Sequence, residues 1–197
     1  MDSVRQLFHD YLLLFAMVNA IGNLPLFADL TSAMNKQKQS GIYKIAVLTG
    51  GSIVLGFALF GDVMLRNVFN VSMPAFKIAG GILVFIVAAR GVILGSQPSF
   101  SPIQKNQSVA VFPMGFPFLA GPGTILTTIL LLQSDGHVIT VITVFLVYMT
   151  IFPILKLAPF VEKIVGKIGV LVISRILYIF ICAKAASFIL DGLQIKL

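Results

Sequence analysis

Six apolar stretches, approximately 7–33, 41–62, 73–95, 107–133, 138–160 and 168–191, constrain this chain to a bundle of membrane-spanning helices. Each reaches the roughly 20 residues that a helix needs to cross the hydrocarbon core of a bilayer. With 58% apolar and 11% charged side chains among 197 residues, there is too little polar surface to coat a water-soluble globule. The connections are short, so one integral domain, 1–197, is expected. The net charge of +7 comes from Lys and Arg scattered at the ends of the stretches, the pattern of membrane loops rather than of a nucleic-acid patch. Cys182 stands alone in the sixth stretch, with no second thiol for a disulfide and no metal set, and reads as packing.

The first and fourth stretches break the pattern. "MVNAIGNLPLFADL" (17–30) carries Asn19, Gly22, Asn23 and Pro25 in its middle, and "FPFLAGPGTI" (116–125) carries Pro117, Gly121, Pro122 and Gly123. Proline lacks an N–H and clashes with the preceding helical turn. Glycine lowers the cost of unusual dihedrals, and asparagine side chains can cap freed N–H groups or bind something else. Irregular backbone at membrane depth is tolerated only where protein or a water-filled cavity satisfies it. The first stretch also imitates a cleavable signal peptide, with Arg5, an apolar run and small residues before Ile21. Asp2, His9 and Asp10 spoil the basic region, and apolar character resumes after Pro25, so the stretch is expected to be retained.

The interruptions fall at matching places in two halves. "GILVFIVAAR" (81–90) in the third stretch aligns without gaps on "RILYIFICAK" (175–184) in the sixth. Three stretches per half, about 1–97 and about 106–197, force the halves into opposite membrane orientation. The expected fold is therefore all-α, with six transmembrane helices as two inverted repeats whose first helices are broken near the midplane. Lys36, Lys38, Lys44, Arg90, Lys105, Lys156, Lys163 and Lys167 share one face, which places that face in the cytoplasm and both termini outside.

Free N–H groups and a partial positive charge at a half-helix N-terminus suit a carboxylate. A site for a small zwitterion or anion is thus expected at Asn19, Gly22, Asn23, Pro25, Gly121, Pro122, Gly123 and Thr124. The competing reading is that Gly and Pro mark only kinks or close helix packing. Arg175 stands about 12 Å into the sixth stretch, counted from Lys167 at the helical rise, a depth at which an ionisable group is a functional candidate. It can receive a substrate carboxylate or pair with Asp29, and the pair can act as a gate; Asp29 is also a candidate for coupling. No G-x-x-x-x-G-K-[ST], H-E-x-x-H or G-x-S-x-G occurs, so neither nucleotide-driven pumping nor enzyme chemistry is expected, and no cofactor or metal site. The remaining alternatives are an exporter of other small metabolites or drugs, a small channel, or a non-transporting scaffold.

"NAIGNLPLF" (19–27), "PAFKIAGGILVFIVAARGV" (74–92), "PFLAGPGTI" (117–125) and "VGKIGVLVISRIL" (165–177) together resemble the MarC family of inner-membrane proteins, whose best-described branch is the SnatA-type small neutral amino-acid transporters. The resemblance covers nearly the whole chain in order. The family's first motif, N-P-x-G-x-x-P, falls on Asn19, Ala20, Gly22 and Pro25, with Ala20 in place of the usual proline; the second falls on Ala120 to Ile125 without departure. Grouping of that family with the LysE-like exporters implies six spans and a pseudo-symmetric fold. What the resemblance implies in function is transport of glycine, alanine or similar small amino acids, coupled to protons or sodium, in the cell (inner) membrane. Substrate, direction and any homo-oligomer are left open.

Overall fold

A computed structural model describes residues 2–31, 34–95 and 108–194. The described chain is all-helical. It contains α1 (Asp2–Val18), α2 (Leu24–Thr31), α3 (Lys36–Val63, continued by wider turns over Met64–Val68), α4 (Met73–Leu94), an irregular segment Ala110–Leu119, and α5 (Pro122–Gly192). No strand occurs among the described residues.

Local chemistry explains the starts and bends. The Asn35 side chain accepts from Lys38 N–H and caps α3, and Ser72 does the same for α4 through Ala75 N–H, with Pro74 in the first turn where no N–H is needed. The long α5 is not straight. Gly136 and Gly166 adopt φ of 78° and 75° with extended ψ, conformations that L side chains rarely adopt, and they divide it into limbs 122–135, 137–165 and 167–192.

Four helical stretches among the described residues are long and apolar enough to cross a membrane: Lys36–Val68, Met73–Leu94, Pro122–Leu157 and Ile168–Gly192. That differs from the six expected stretches for a physical reason. The first expected stretch is occupied by α1 and α2, each too short alone, and the fourth by the ten-residue Ala110–Leu119 followed by the first limb of α5. The span Pro122–Leu157 includes the bend at Gly136, so it merges parts of the expected fourth and fifth stretches.

Large apolar side chains face outward along the spans, among them Phe85, Ile86, Phe145, Met149, Ile176 and Phe180. A contiguous outward apolar surface of this kind matches a lipid solvent. Two buried clusters form the interior. One joins α1, α2, α3, the irregular segment and the middle limb of α5 around Phe27, Leu119 and Ile151. The other joins Met17, Val84, Ala88, Leu126, Tyr178 and Phe188.

Candidate functional site

The first interruption begins where α1 ends at Val18. Asn19 adopts φ 52°, the left-handed region, which asparagine tolerates better than most L residues. The chain then turns through residue 23, held by Asn23 N–H to the Asn19 carbonyl (3.0 Å) and Phe27 N–H to the Asn23 carbonyl (3.0 Å). Pro25 falls in the first turn of α2, where a missing N–H removes no helical bond. The unusual dihedral therefore belongs to Asn19, not to Gly22 as the sequence suggested. Glycine is needed at 22 for space: a Cβ there would lie 2.3 Å from Asn19 Oδ1.

The third limb of α5 fastens this turn. Ser174 Oγ donates to the Gly22 carbonyl at 2.7 Å, and Tyr178 Oη donates to Asn23 Oδ1 at 2.9 Å. The two residues are four apart and so share one helical face. The Asn23 side chain is thus an acceptor for tyrosine rather than a helix cap. Tyr178→Phe removes the donor to a buried oxygen, and thermal unfolding should report a loss of about 1–3 kcal/mol. An unchanged melting temperature would show that this bond holds nothing in place.

The second interruption is built from prolines. Phe112 and Phe116 are extended (φ −133° and −132°), each preceding a proline that disfavours helical backbone before it; both of those X–Pro bonds are cis. Glycines let α3 close on this segment. A Cβ on Gly50 would lie 2.9 Å from Leu119 Cβ, and one on Gly115 would lie 2.8 Å from Thr49 Cβ. Tyr148 Oη donates to the Leu119 carbonyl at 2.7 Å, so each interruption is tied by a tyrosine hydroxyl. Gly121 then precedes α5 at the capping position, with no side chain to accept from the first-turn N–H groups.

Between the interruptions lies a cavity of about 70 Å³, whose lining includes Asn19, Asn23, Gly121, Pro122, Gly123 and Tyr178. The Asn19 side chain is only 6% exposed, and neither its Oδ1 nor its Nδ2 has a hydrogen-bond partner among the described residues. Buried polar groups are normally paired, so such an orphan carboxamide needs an explanation. Gly123 sets the floor, since a Cβ there would meet Met17 Cε at 2.8 Å and Val84 Cγ2 at 3.3 Å.

Of the residues singled out from sequence, Asn19, Asn23, Gly121, Pro122 and Gly123 line this cavity together. Gly22, Pro25 and Thr124 stand behind it. Thr124 is fully buried, with Oγ1 3.5 Å from the Met17 carbonyl. Arg175 is exposed, turned about 100° around its helix from the buried Ser174, and is not part of the lining. Asp29 belongs to α2, and its side chain lies outside the described residues. Tyr178, Val84 and Ala88 were missed. The one signal for Tyr178 was its spacing, four residues after the polar Ser174 in a largely apolar stretch. Chemically, the site offers a carboxamide with donors and an acceptor, a helix N-terminus, and apolar walls. None of its lining residues is an acid, a base or a histidine, and no group of three or more His, Cys, Asp or Glu that could hold a metal ion occurs among the described residues.

Comparison with known proteins places the chain among integral membrane proteins. The family model described as MarC family integral membrane protein matches residues 4–197. The chain is 32% identical to a UPF0056 membrane protein of Archaeoglobus fulgidus, covering 96% of this chain and 93% of that protein. It is 30% identical to a UPF0056 membrane protein of Aquifex aeolicus (93% and 90% covered) and 30% identical to the UPF0056 membrane protein YhcE of Escherichia coli (95% and 91% covered). No solved structure matches the chain.

Proposed function

The chain belongs to the MarC family of integral membrane proteins, and from that premise we propose that it is a secondary transporter of small neutral amino acids such as glycine or alanine. The observation that carries this reading is the buried, unpartnered Asn19 carboxamide in a small cavity at the uncapped N-terminus of α5. A carboxylate suits the N–H groups and partial positive charge of that terminus. An ammonium group suits Asn19 Oδ1, which lacks a donor. A cavity of about 70 Å³ floored by Gly123 favours a small solute over a bulky drug.

The same reading takes the two interrupted segments as the opening helices of two inverted three-helix repeats, six crossings in all, in the SnatA-like manner and within the LysE-like exporters. The bends at Gly136 and Gly166, which separate three limbs within α5, support that count. Movement of one repeat against the other about a fixed site would then give alternating access, coupled to protons or sodium, in the cell (inner) membrane with both termini outside.

The test is thermal stabilisation of the detergent-purified protein against amino acids and drug-like cations. A ligand that binds only the folded state at 100 times its Kd adds about 2.7 kcal/mol. Glycine or alanine should raise the melting temperature. A response to bulky cations alone would overturn the substrate class. Gly22→Ala probes the same site from behind: its methyl would sit where the Asn19 amide now is. Because that amide is the free end of a side chain, the fold should survive while the amino-acid response disappears. A Gly22→Ala protein that responds like the parent would remove Asn19 from the site.

A further inference from the structure

Another buried side chain with an unpartnered polar atom lies outside the cavity. Asp10 sits mid-way along α1 and is 3% exposed. Its Oδ2 is sealed from solvent and has no hydrogen-bond partner among the described residues. Its Oδ1 lies 3.3 Å from Nδ1 of His9, whose own side chain is 74% exposed. The charged groups acting on Asp10 are His9, from its own helix, and Asp135, from α5. Asp135 is already engaged at both oxygens: Gln6 Nε2 donates to Oδ1 and Ser134 Oγ donates to Oδ2. Asp135 is thus held as an acceptor, and its neighbour is the carboxyl with an empty position. Asp135 also immediately precedes Gly136, where α5 changes direction.

A buried ionised carboxylate beside a like charge, with one oxygen unpaired, is relieved most simply by taking up a proton. We propose that Asp10 is a proton-binding site: a proton from bulk water forms an O–H bond at its buried carboxyl, with Asp135 as the fixed carboxylate that strengthens proton binding. His9, exposed and adjacent to Oδ1, gives the proton a route from solvent. Asp10 stands eight residues before Val18, where α1 ends and the turn that begins with Asn19 starts. The inference does not rest on the transport reading, and its test uses no ligand.

The experiment measures the full-length detergent-purified protein, its Asp10→Asn and its Asp135→Asn variants across a pH series. Infrared absorption follows the C=O stretch of a protonated carboxyl, and thermal unfolding runs in parallel. The parent should show a protonated-carboxyl band that persists above pH of about 4, where ordinary carboxylates ionise. Asp10→Asn should lack it, and in Asp135→Asn it should titrate at lower pH because the like charge is gone. The sign in stability follows from linkage. A folded state that holds its proton more tightly than the unfolded chain loses stability as pH rises through the unfolded and then the folded titration. Relative to Asp10→Asn, the parent's melting temperature should therefore fall between about pH 4 and the midpoint of the band, then level off. Absence of the band in the parent overturns the proposal, even if Asp10→Asn does not fold. A constant difference in melting temperature across the series overturns it as well.

Discussion

Asn19→Ala should remove about half or more of the amino-acid stabilisation while leaving the unliganded protein as stable as its parent or more so. Two opposing terms set the second half of that result. A buried carboxamide with no partner carries a desolvation penalty of about 1–3 kcal/mol, which alanine removes. Alanine at a left-handed φ of 52° restores a cost of about 1–2 kcal/mol. The two nearly cancel. A structural cap would behave differently, since replacing a capping asparagine by alanine costs about 1 kcal/mol. Hydrogen bonds to a charged ligand are worth about 1.5–3 kcal/mol, so loss of the amide should weaken binding by about tenfold to a hundredfold. Calorimetric titration with glycine or alanine on both proteins reads the two halves separately. If the variant is less stable and binds normally, Asn19 is scaffold, and the transport site must be sought elsewhere.

The largest loss of stability is expected for Gly81→Val. A Cβ on Gly81 would lie 2.8 Å from Ile189 Cγ1, 3.0 Å from the Ala185 carbonyl and 3.2 Å from Ile189 N. Two of those three neighbours are backbone, so no rotamer change clears the space. The contact is reciprocal: a Cβ on Gly192 would lie 2.8 Å from the Pro74 carbonyl and 3.2 Å from Ile78 N. Helix α4 and the third limb of α5 therefore meet backbone to backbone at two levels, the close approach that small residues permit between membrane helices. Overpacking of such a contact costs about 1–3 kcal/mol, occasionally more. Unfolding temperature and the yield of monodisperse protein should both fall, while the remaining folded molecules keep their ligand response. Gly80→Ala is the control. Its Cβ would meet Leu126 methyls at 2.9 and 3.3 Å, and a leucine side chain can shift. Equal damage from both variants would mean that backbone proximity is not what the glycine at 81 protects.

Much of the architecture was legible because hydrophobicity acts residue by residue. The ends of the apolar stretches at 62, 73 and 95 fall within a few residues of helix boundaries at Val63, Met73 and Leu94. The two interruptions were legible for the same reason, as Gly, Pro and Asn have local backbone consequences whatever surrounds them. The roles inside them were not. Gly22 looked like the place for an unusual dihedral, yet it serves as space for the Asn19 amide, a steric relation visible only once the turn closes. Arg175 looked buried by its depth along the stretch. Rotation about the helix axis decides exposure, and it turns Ser174 inward and Arg175 out.

By itself, then, the sequence determined that this chain lives in a bilayer, where its helices run and where they cannot continue, because apolar length and backbone chemistry are properties of short segments. Only the tertiary structure decided what the interruptions face. Ser174 reaches Gly22 and Tyr178 reaches Asn23 across more than 150 positions of chain. Gly121 and Gly123 come to share a cavity with Asn19. Such pairings depend on how helices rotate and cross, and that is settled by the packing of the whole molecule, including the glycine contacts that bring α4 against α5.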